Sequence, residues 1–371
     1  MARRGPLFIL ALLAALGMTL PACGPSPKPA PKPPAKSAAK PYKGPLPALR
    51  AVQFVTPRLG FLGGQGIVLE TRDGGRTFTR IYSGAEDIAE LDFTSPDAGW
   101  VRTASGEVLA FDGKRFRRIA SSLGAAAAIH LGKGGPSLVL TKSGTLYRAK
   151  GPEGPWQSEG VGLLSSIAFA AGGRVGWAVG TSAGAPVVYV TADGGRTWAK
   201  SFAPPVEPDQ DWSATLGAAG GAVWLLLTSP NGQMEHQPYV AFVRRGKGSP
   251  WTEVLAASPF AGAQGFYPPT RAGLYGLQAG PLAARGPAAA FLSWLPAPNG
   301  NLLALTTSED VGRTWSQRPL ALKAARTPNF FQPMGLALVG RETLWLVGSR
   351  GGKGIALTSN DGGAHFSSPS L

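Results

Sequence analysis

The stretch VTADGGRTWAKSF, residues 190–202, decides the fold because near-copies of it recur along the chain. Clear relatives read ETRDGGRTF (residues 70–78), TSEDVGRTW (307–315) and TSNDGGAHF (358–366). Each copy has Ser or Thr two residues before an aspartate, a glycine two residues after it, and an aromatic residue three positions further on. A motif that returns in this way predicts a protein built from similar structural units.

Weaker copies between these keep only a glycine and the closing aromatic residue: FDGKRF, GPEGPW and RGKGSPW. Together the copies place closing aromatic residues at Phe78, Phe116, Trp156, Trp198, Trp251, Trp315 and Phe366. A spacing of roughly 40 to 60 residues is that of one four-stranded blade, so the chain is predicted to be an all-β, seven-bladed β-propeller of four-stranded antiparallel sheets. Both the first and the last unit look complete, so side-chain packing between them is expected to close the ring.

The repeat resembles the Asp box, or BNR repeat, of sialidase-like and related propellers, and the resemblance covers about residues 48–371. It implies that each box forms the turn between the third and fourth strands of a blade. There the aspartate accepts backbone N–H bonds, the glycine supplies positive φ, and the aromatic ring packs between neighbouring sheets. The residues expected to build these turns are Asp73, Gly75, Phe78, Asp193, Gly195, Trp198, Asp310, Gly312, Trp315, Asp361, Gly363 and Phe366.

The resemblance does not extend to a known active site. Sialidases hold their substrate with arginines, the first in an Arg-Ile-Pro motif, and that motif does not occur here. The xyloglucan-hydrolase relatives need a cleft between two propellers, whereas this chain has repeats for one. The photosystem II stability and assembly factors, by contrast, are single exported propellers that act as binding scaffolds. We therefore expect a non-catalytic scaffold for a protein or an envelope polymer, with a glycan-active hydrolase or lectin as the alternative.

The N-terminus has the pattern of an export signal. Residues 1–22 contain two arginines, then the apolar run LFILALLAALGMTL, and end in LPA before Cys23. This resembles a bacterial lipoprotein signal, in which the cysteine receives acyl chains such as palmitate. Cys23 is the only cysteine, which favours lipid attachment over a disulfide. An uncleaved helical anchor is the alternative, although the run is short of the ~20 residues that a span needs. Gly24 favours sorting to the outer membrane, on its periplasmic or its surface side.

Residues 23–46 are rich in Pro, Ala and Lys and contain no acidic residue, which predicts a semi-rigid tether ahead of a propeller at residues 47–371. The formal charge of +15 falls when the signal arginines and the tether lysines are set apart. A moderately basic, exported module is not expected to bind nucleic acid. The expected partners are the membrane through Cys23 and a protein or polysaccharide of the envelope, with the chain itself a monomer.

Candidate ligand-facing residues lie where the repeat spacing widens, in the fifth and sixth units, because extra loop length often carries function. They are Asp209, Asp211, Trp212, Glu235, His236, Tyr267 and Arg271. Carboxylates beside aromatic rings are suited to hold a sugar or to act as an acid–base pair, and a solvated acidic loop explains them as well. Trp212 stands out because no strand or box accounts for it.

Other polar groups point to no further chemistry. His130, His236 and His365 are far apart and lack ligand-spaced partners, so neither a metal site nor a cofactor is expected. Asp87 and Glu90 are expected to face solvent at a junction between blades. The arginines on either side of Phe116 should also face solvent, where they are suited to an acidic partner or a lipid headgroup.

Overall fold

The computed structural model describes residues 40–132, 135–151, 153–160, 162, 164–170, 172–206, 211–230, 239–257, 279–295, 302–320 and 331–369. Residues 40–371 form one compact unit. In the part described, the only helix is a single 3-10 turn, Ser121–Leu123. Short strands of apolar and β-branched residues alternate with Gly-rich turns throughout, which is the pattern that favours pleated sheets. The all-β prediction is therefore confirmed.

The strands are β1 (Leu49–Phe54), β2 (Gly60–Thr71), β3 (Thr79–Ser95), β4 (Ala98–Thr103), β5 (Val108–Phe111), β6 (Phe116–Ile119), β7 (Ala126–His130), β8 (Ser137–Thr141), β9 (Leu146–Ala149), β10 (Gln157–Glu159), β11 (Leu164–Phe169), β12 (Gly176–Ser182), β13 (Ala185–Thr191), β14 (Ala199–Phe202), β15 (Ser213–Ala219), β16 (Ala222–Thr228), β17 (Tyr239–Arg244), β18 (Trp251–Ala257), β19 (Ala279–Arg285), β20 (Ala288–Leu295), β21 (Leu302–Ser308), β22 (Ser316–Pro319), β23 (Gln332–Leu338), β24 (Leu344–Arg350) and β25 (Lys353–Ser359).

Over the described ranges, neighbouring strands pair antiparallel into six sheets. The first sheet contains β1–β6, the second β7–β10, the third β11–β14, the fourth β15–β18, the fifth β19–β22 and the sixth β23–β25. The second to fifth sheets have four strands each, as predicted. The predicted number of seven sheets is wrong, because the first sheet has six strands and the sixth has three.

The difference arises at β3, which the sequence divides between two units. Its first half pairs with β2 from Glu70↔Thr79 to Gln65↔Asp87, and its second half pairs with β4. The segment between the halves, expected at a junction between blades, remains extended, so one strand pairs first with β2 and then with β4, with a register shift between Gln65 and Ile67. The halves nevertheless pack face to face, because the ring of Phe61 in β2 stacks on that of Phe93 at a centroid distance of 3.7 Å.

Aromatic side chains join one sheet to the next. Trp224 and Trp345 lie in second strands of their sheets and are 1% exposed. Trp315, which closes the third clear box, meets Trp224 of the preceding sheet edge to face at 6.0 Å. Phe78 of the first sheet meets Trp345 of the sixth sheet in the same way at 5.9 Å. The closing aromatic residue of a box thus packs in the gap between two sheets, where burial of its large apolar surface stabilises their contact.

The first and sixth sheets close the ring through a shared apolar core. Leu49, Leu69 and Phe78 of the first sheet pack there against Trp345 and Val347 of the sixth. The chain ahead of β1 strengthens this junction with backbone bonds. The N–H of Tyr42 donates to the carbonyl of Phe78 at 2.7 Å, and that of Gly354 donates to the carbonyl of Leu46 at 2.9 Å. The first and sixth sheets are therefore joined by side-chain packing together with a short backbone strap, in which Pro47 also bridges to Lys353 of β25.

We predict that Gly75→Ala weakens this closure much more than Gly362→Ala. Both glycines have positive φ, +93° and +69°, so both substitutions share a left-handed backbone cost of about 1 kcal/mol. A Cβ on Gly75 would lie 2.1 Å from the buried Trp345 ring, whereas a Cβ on Gly362 meets nothing within 4 Å. Overpacking should lower the free energy of unfolding of Gly75→Ala by roughly 1–3 kcal/mol beyond that of Gly362→Ala in denaturant titrations. Equal losses would contradict the tight contact.

Candidate functional site

Each clear Asp box is a closed hydrogen-bond network within one turn. In the copy that opens the sequence, the Thr191 hydroxyl donates to Asp193 Oδ1 at 2.8 Å and accepts the N–H of Gly195 at 2.9 Å. Thr197 donates its N–H to Asp193 Oδ1 at 3.0 Å and its hydroxyl to Oδ2 at 2.6 Å. The same bonds, with matching distances, form around Asp73, Asp310 and Asp361, with His365 in place of the threonine in the last box.

These bonds keep the box carboxylates ionised. The hydroxyl and N–H of Thr197 hold the pKa of Asp193 far below that of an ordinary aspartate. Around Asp310, burial raises the pKa, but the bonds from Thr314 and Ser308 outweigh it and lower the value to about 2. A carboxylate that accepts bonds on both oxygens and resists protonation is unsuited to act as an acid or a base. Its role in this geometry is to hold the turn.

A further hydrogen bond links each clear box to the connection between the first two strands of the same sheet. The box motif alone does not predict this bond. The N–H that follows the box aspartate donates to a backbone carbonyl between the sheet's first two strands. The four bonds are 2.8 to 2.9 Å long: Gly74 to Arg58, Gly194 to Arg174, Val311 to Pro287 and Gly362 to Glu342. The residue that donates has positive φ in every box, even where it is Val311, at φ 60°. A β-branched residue rarely adopts that backbone, which shows how firmly the network fixes the turn.

The box turns define one face of the sheets, which we call the box face. In an antiparallel meander, the connection between the first two strands and that between the last two lie at the same end. Neighbouring boxes also touch, because Arg245 Nε donates to the carbonyl of Val311 in the next sheet at 3.0 Å. The opposite end, which carries the connections between sheets, is called the loop face.

A polar cluster that the sequence did not single out links the first sheet to the second. Glu90 Oε1 accepts the N–H of Ile129 at 3.4 Å, and Asp92 Oδ2 accepts the N–H of Leu131 at 2.6 Å. Both carboxylates belong to β3, and the amides lie in β7 and just after it. The expectation that Glu90 faces solvent is therefore wrong, because its side chain bridges two sheets.

The surroundings of this cluster shift its proton affinities. Burial raises the pKa of Glu90, although an ion pair with Arg102 at 2.7 Å lowers it in part. Burial also raises the pKa of Asp92 to about 7, against the opposing effect of the bond from Leu131. His130 lies 3.6 Å from Asp92, and burial lowers its pKa to about 4, so its imidazole is neutral at pH 7. Two carboxyl groups, one of them close to half-protonated at neutral pH, thus stand two residues apart on one strand.

Of the candidate ligand-facing residues, the structure describes only Asp211 and Trp212. Trp212 is half-buried and packs against the core cluster around Trp177 and Val223. It therefore has the structural place that the sequence did not reveal. Asp211 adopts a positive φ of 48° just before β15. Residues outside the described ranges are Asp209, Glu235, His236, Tyr267, Arg271 and the lipidation candidate Cys23.

The other charged residues noted in the sequence form ion pairs. Arg117 pairs with Glu153 across to the second sheet, and Arg118 pairs with Glu107 at 2.5 Å. Asp87, expected in solvent, pairs with Arg50 of β1. The arginines around Phe116 are exposed as expected, but the ion pairs with Glu153 and Glu107 already neutralise the charges of Arg117 and Arg118.

Two kinds of site are absent from the parts of the chain that the structure describes. No group of three or more His, Cys, Asp or Glu side chains converges there as a metal site would require. In the same ranges, no helix has the length and apolarity needed to cross a membrane.

Comparison with known proteins places the fold. No protein-family model matches the chain, and no curated protein matches it significantly. Among solved structures, YCF48 bound to a D1 peptide is similar with a TM-score of 0.53 and 18% identity, over 85% of this chain and 94% of that one. The GH74 enzyme of Niastella koreensis is similar with a TM-score of 0.61 and 11% identity, over 88% of this chain and 55% of the enzyme.

The GH74 xyloglucanase of Xanthomonas campestris gives a TM-score of 0.59 at 15% identity, over 86% of this chain and 52% of the enzyme. The chain thus spans about half the length of these GH74 enzymes. At such low identities the likeness shows the fold alone. The chain is a β-propeller of antiparallel, mainly four-stranded sheets.

We predict that Asp92→Asn changes the pH dependence of stability. The raised pKa means that wild-type protein gains from protonation of Asp92 below about pH 4 and loses this contribution as the pH rises through about 7. Asparagine stays neutral and still accepts the Leu131 N–H. The free energy of unfolding of the variant should equal that of wild type near pH 4 and exceed it by about 1–3 kcal/mol at pH 8. Parallel pH profiles of the two proteins would contradict the assignment.

Proposed function

We propose that this chain is an exported scaffold, anchored by lipid at Cys23, whose propeller binds a protein partner of the cell envelope on its loop face. One observation carries the proposal most strongly. The conspicuous carboxylates of the described ranges, those of the boxes and of Glu90 and Asp92, are hydrogen-bonded into the frame itself. These carboxylates stabilise the propeller itself and are not set out for catalysis. A rigid propeller of this kind is suited to bind a partner.

The comparisons support binding as one use of this architecture. The similar YCF48 structure is bound to a D1 peptide, so a protein of similar fold accommodates a peptide. The fold itself hosts both binding proteins and enzymes. From the YCF48 structure we take only the class of partner, and we propose that this chain also binds a protein.

We further propose that the two halves of the first sheet act as separate blades, which makes the ring sevenfold. Its support is the set of strands that contact one another in turn: β1, β3, β7, β11, β15, β19, β23 and β1 again. β3 enters this cycle through the half that pairs with β4. The face-to-face stacking of Phe61 on Phe93 is the same kind of contact that joins separate sheets elsewhere.

The alternative function is glycan cleavage. Glycosidases need two carboxyl groups at a set separation, one of them protonated at working pH. Glu90 and Asp92 supply such a pair with raised pKa values, and the GH74 enzymes have a similar fold. The backbone N–H bonds that both carboxylates accept favour the structural role.

Two measurements test the proposal in cells. A palmitate analogue should label wild-type protein and not Cys23→Ser, which should be released from the membrane. A photo-crosslinking residue at Ala85 or Ser121, both exposed on the loop face, should capture a defined protein, whereas the same residue at exposed Gln157 on the outer strand β10 should not.

Absence of label would contradict the anchor, and equal capture at all three positions would contradict the loop face. Release of sugar from envelope polysaccharide by wild type, lost in Glu90→Gln with the fold intact, would favour the hydrolase instead.

A further inference from the structure

The box face carries an unbalanced set of cations that the scaffold function does not use. Exposed cations occur in box turns or in the connection beside them on the first five sheets, and none has an acidic partner among the described residues. They are Arg58, Arg76, Lys150, Arg196, Lys247 and Arg313. Three of them occupy the same place in their boxes, the residue after the second glycine position, so the repeat itself sets them around the ring.

Exposed Asp97, Glu309 and Glu342 lie on this face as well, and exposed Lys114, Arg174 and Arg341 balance them in number. The box aspartates are turned into their own turns, where hydroxyl and N–H donors cover them. Asp112 pairs with Arg115, and Glu153 with Arg117. On the loop face of the first sheet, Glu86, Asp87 and Glu107 lie close together, and two of them are paired, Asp87 with Arg50 and Glu107 with Arg118.

The chain enters the propeller beside the same basic face. Tyr42 donates its N–H to the carbonyl of Phe78, the residue that closes the first box, at 2.7 Å. Lys40 and Lys43 on either side of it are exposed. The sequence before them is the lysine-rich segment that leads back to Cys23. Lys40 and Lys43 thus lie on the same side of the propeller as the cations of the box turns.

A cavity of about 480 Å³ on this face has the right lining for a small anionic group. Arg148, Lys150, Arg196 and Asp193 line it together with Gly135 and Pro136, and the Asp193 carboxylate is bonded within its own box. It opens between the second and third sheets. Glu159 balances Arg148 at 2.8 Å, which leaves the other two cations for a ligand.

From these observations we infer that the box face docks on an anionic lipid surface, with the cations of the box turns contacting headgroup phosphates. A bilayer is the occupant that fits best, because the charges are distributed over five sheets of one face, where exposed Lys40 and Lys43 also lie. Docking would turn the loop face away from the membrane and toward its partner. The inference goes beyond the proposed scaffold function, and its test does not depend on lipidation.

The test is sedimentation of residues 23–371 carrying Cys23→Ser with vesicles of phosphatidylcholine, alone or with phosphatidylglycerol. We expect binding only to the anionic vesicles, weakened by salt because surface charges are screened. The triple variant Arg76→Glu, Arg196→Glu, Arg313→Glu should bind them at least about tenfold more weakly, since each basic residue near a membrane contributes roughly 1 kcal/mol.

The matched control reverses the same charge elsewhere: Lys200→Glu and Arg318→Glu on outer strands, and Lys353→Glu on the loop face. It should retain most of the binding. Equal loss in both triple variants, or no loss in the box variant, would overturn the docking surface. Failure of wild type to bind anionic vesicles, together with box-dependent binding to polyglutamate, would overturn the lipid assignment in favour of an acidic protein.

Discussion

The structure depends on one small hydrogen-bond network, in which a Thr or Ser hydroxyl, an aspartate and a glycine N–H close each box turn. The hydroxyl of Thr191 both donates to Asp193 and accepts from Gly195, so the backbone and the carboxylate are fixed together. The next N–H then reaches back to the first connection of the same sheet, from Gly194 to Arg174. Each box therefore fastens a sheet at one end and aims its aromatic residue into the gap beside it.

Contacts between sheets depend on the box turns, because each turn positions its closing aromatic residue. The ring of Trp315 reaches Trp224, and that of Phe78 reaches Trp345, because their boxes hold the strand ends in place. On the inner strands, polar side chains add directional bonds, as when Gln53 both donates to and accepts from the backbone of Phe93. Apolar packing supplies most of the free energy, while these polar bonds fix the register of one sheet against the next.

The sequence predicted what a local motif determines and missed what depends on long-range contacts. Aspartate and glycine at fixed spacing imply the box turn, so those residues were placed correctly in their turns. The continuity of β3 was missed, because a short polar segment reads as a loop unless its partner strands are known. The bridging roles of Glu90 and Asp92 were missed for the same reason, since their acceptors lie about one unit further along the chain. Trp212 was set apart only because the cluster that buries it is assembled from several strands.

The most direct test of the account compares Asp310→Ala with Asp112→Ala by denaturant unfolding. Both aspartates accept two backbone N–H bonds in a turn, but only Asp310 also accepts the hydroxyls of Ser308 and Thr314. The account predicts that Asp310→Ala loses roughly 2–4 kcal/mol in the free energy of unfolding and that Asp112→Ala loses clearly less. Equal losses would contradict the claim that the hydroxyl–carboxylate network stabilises the sheets that carry a clear box.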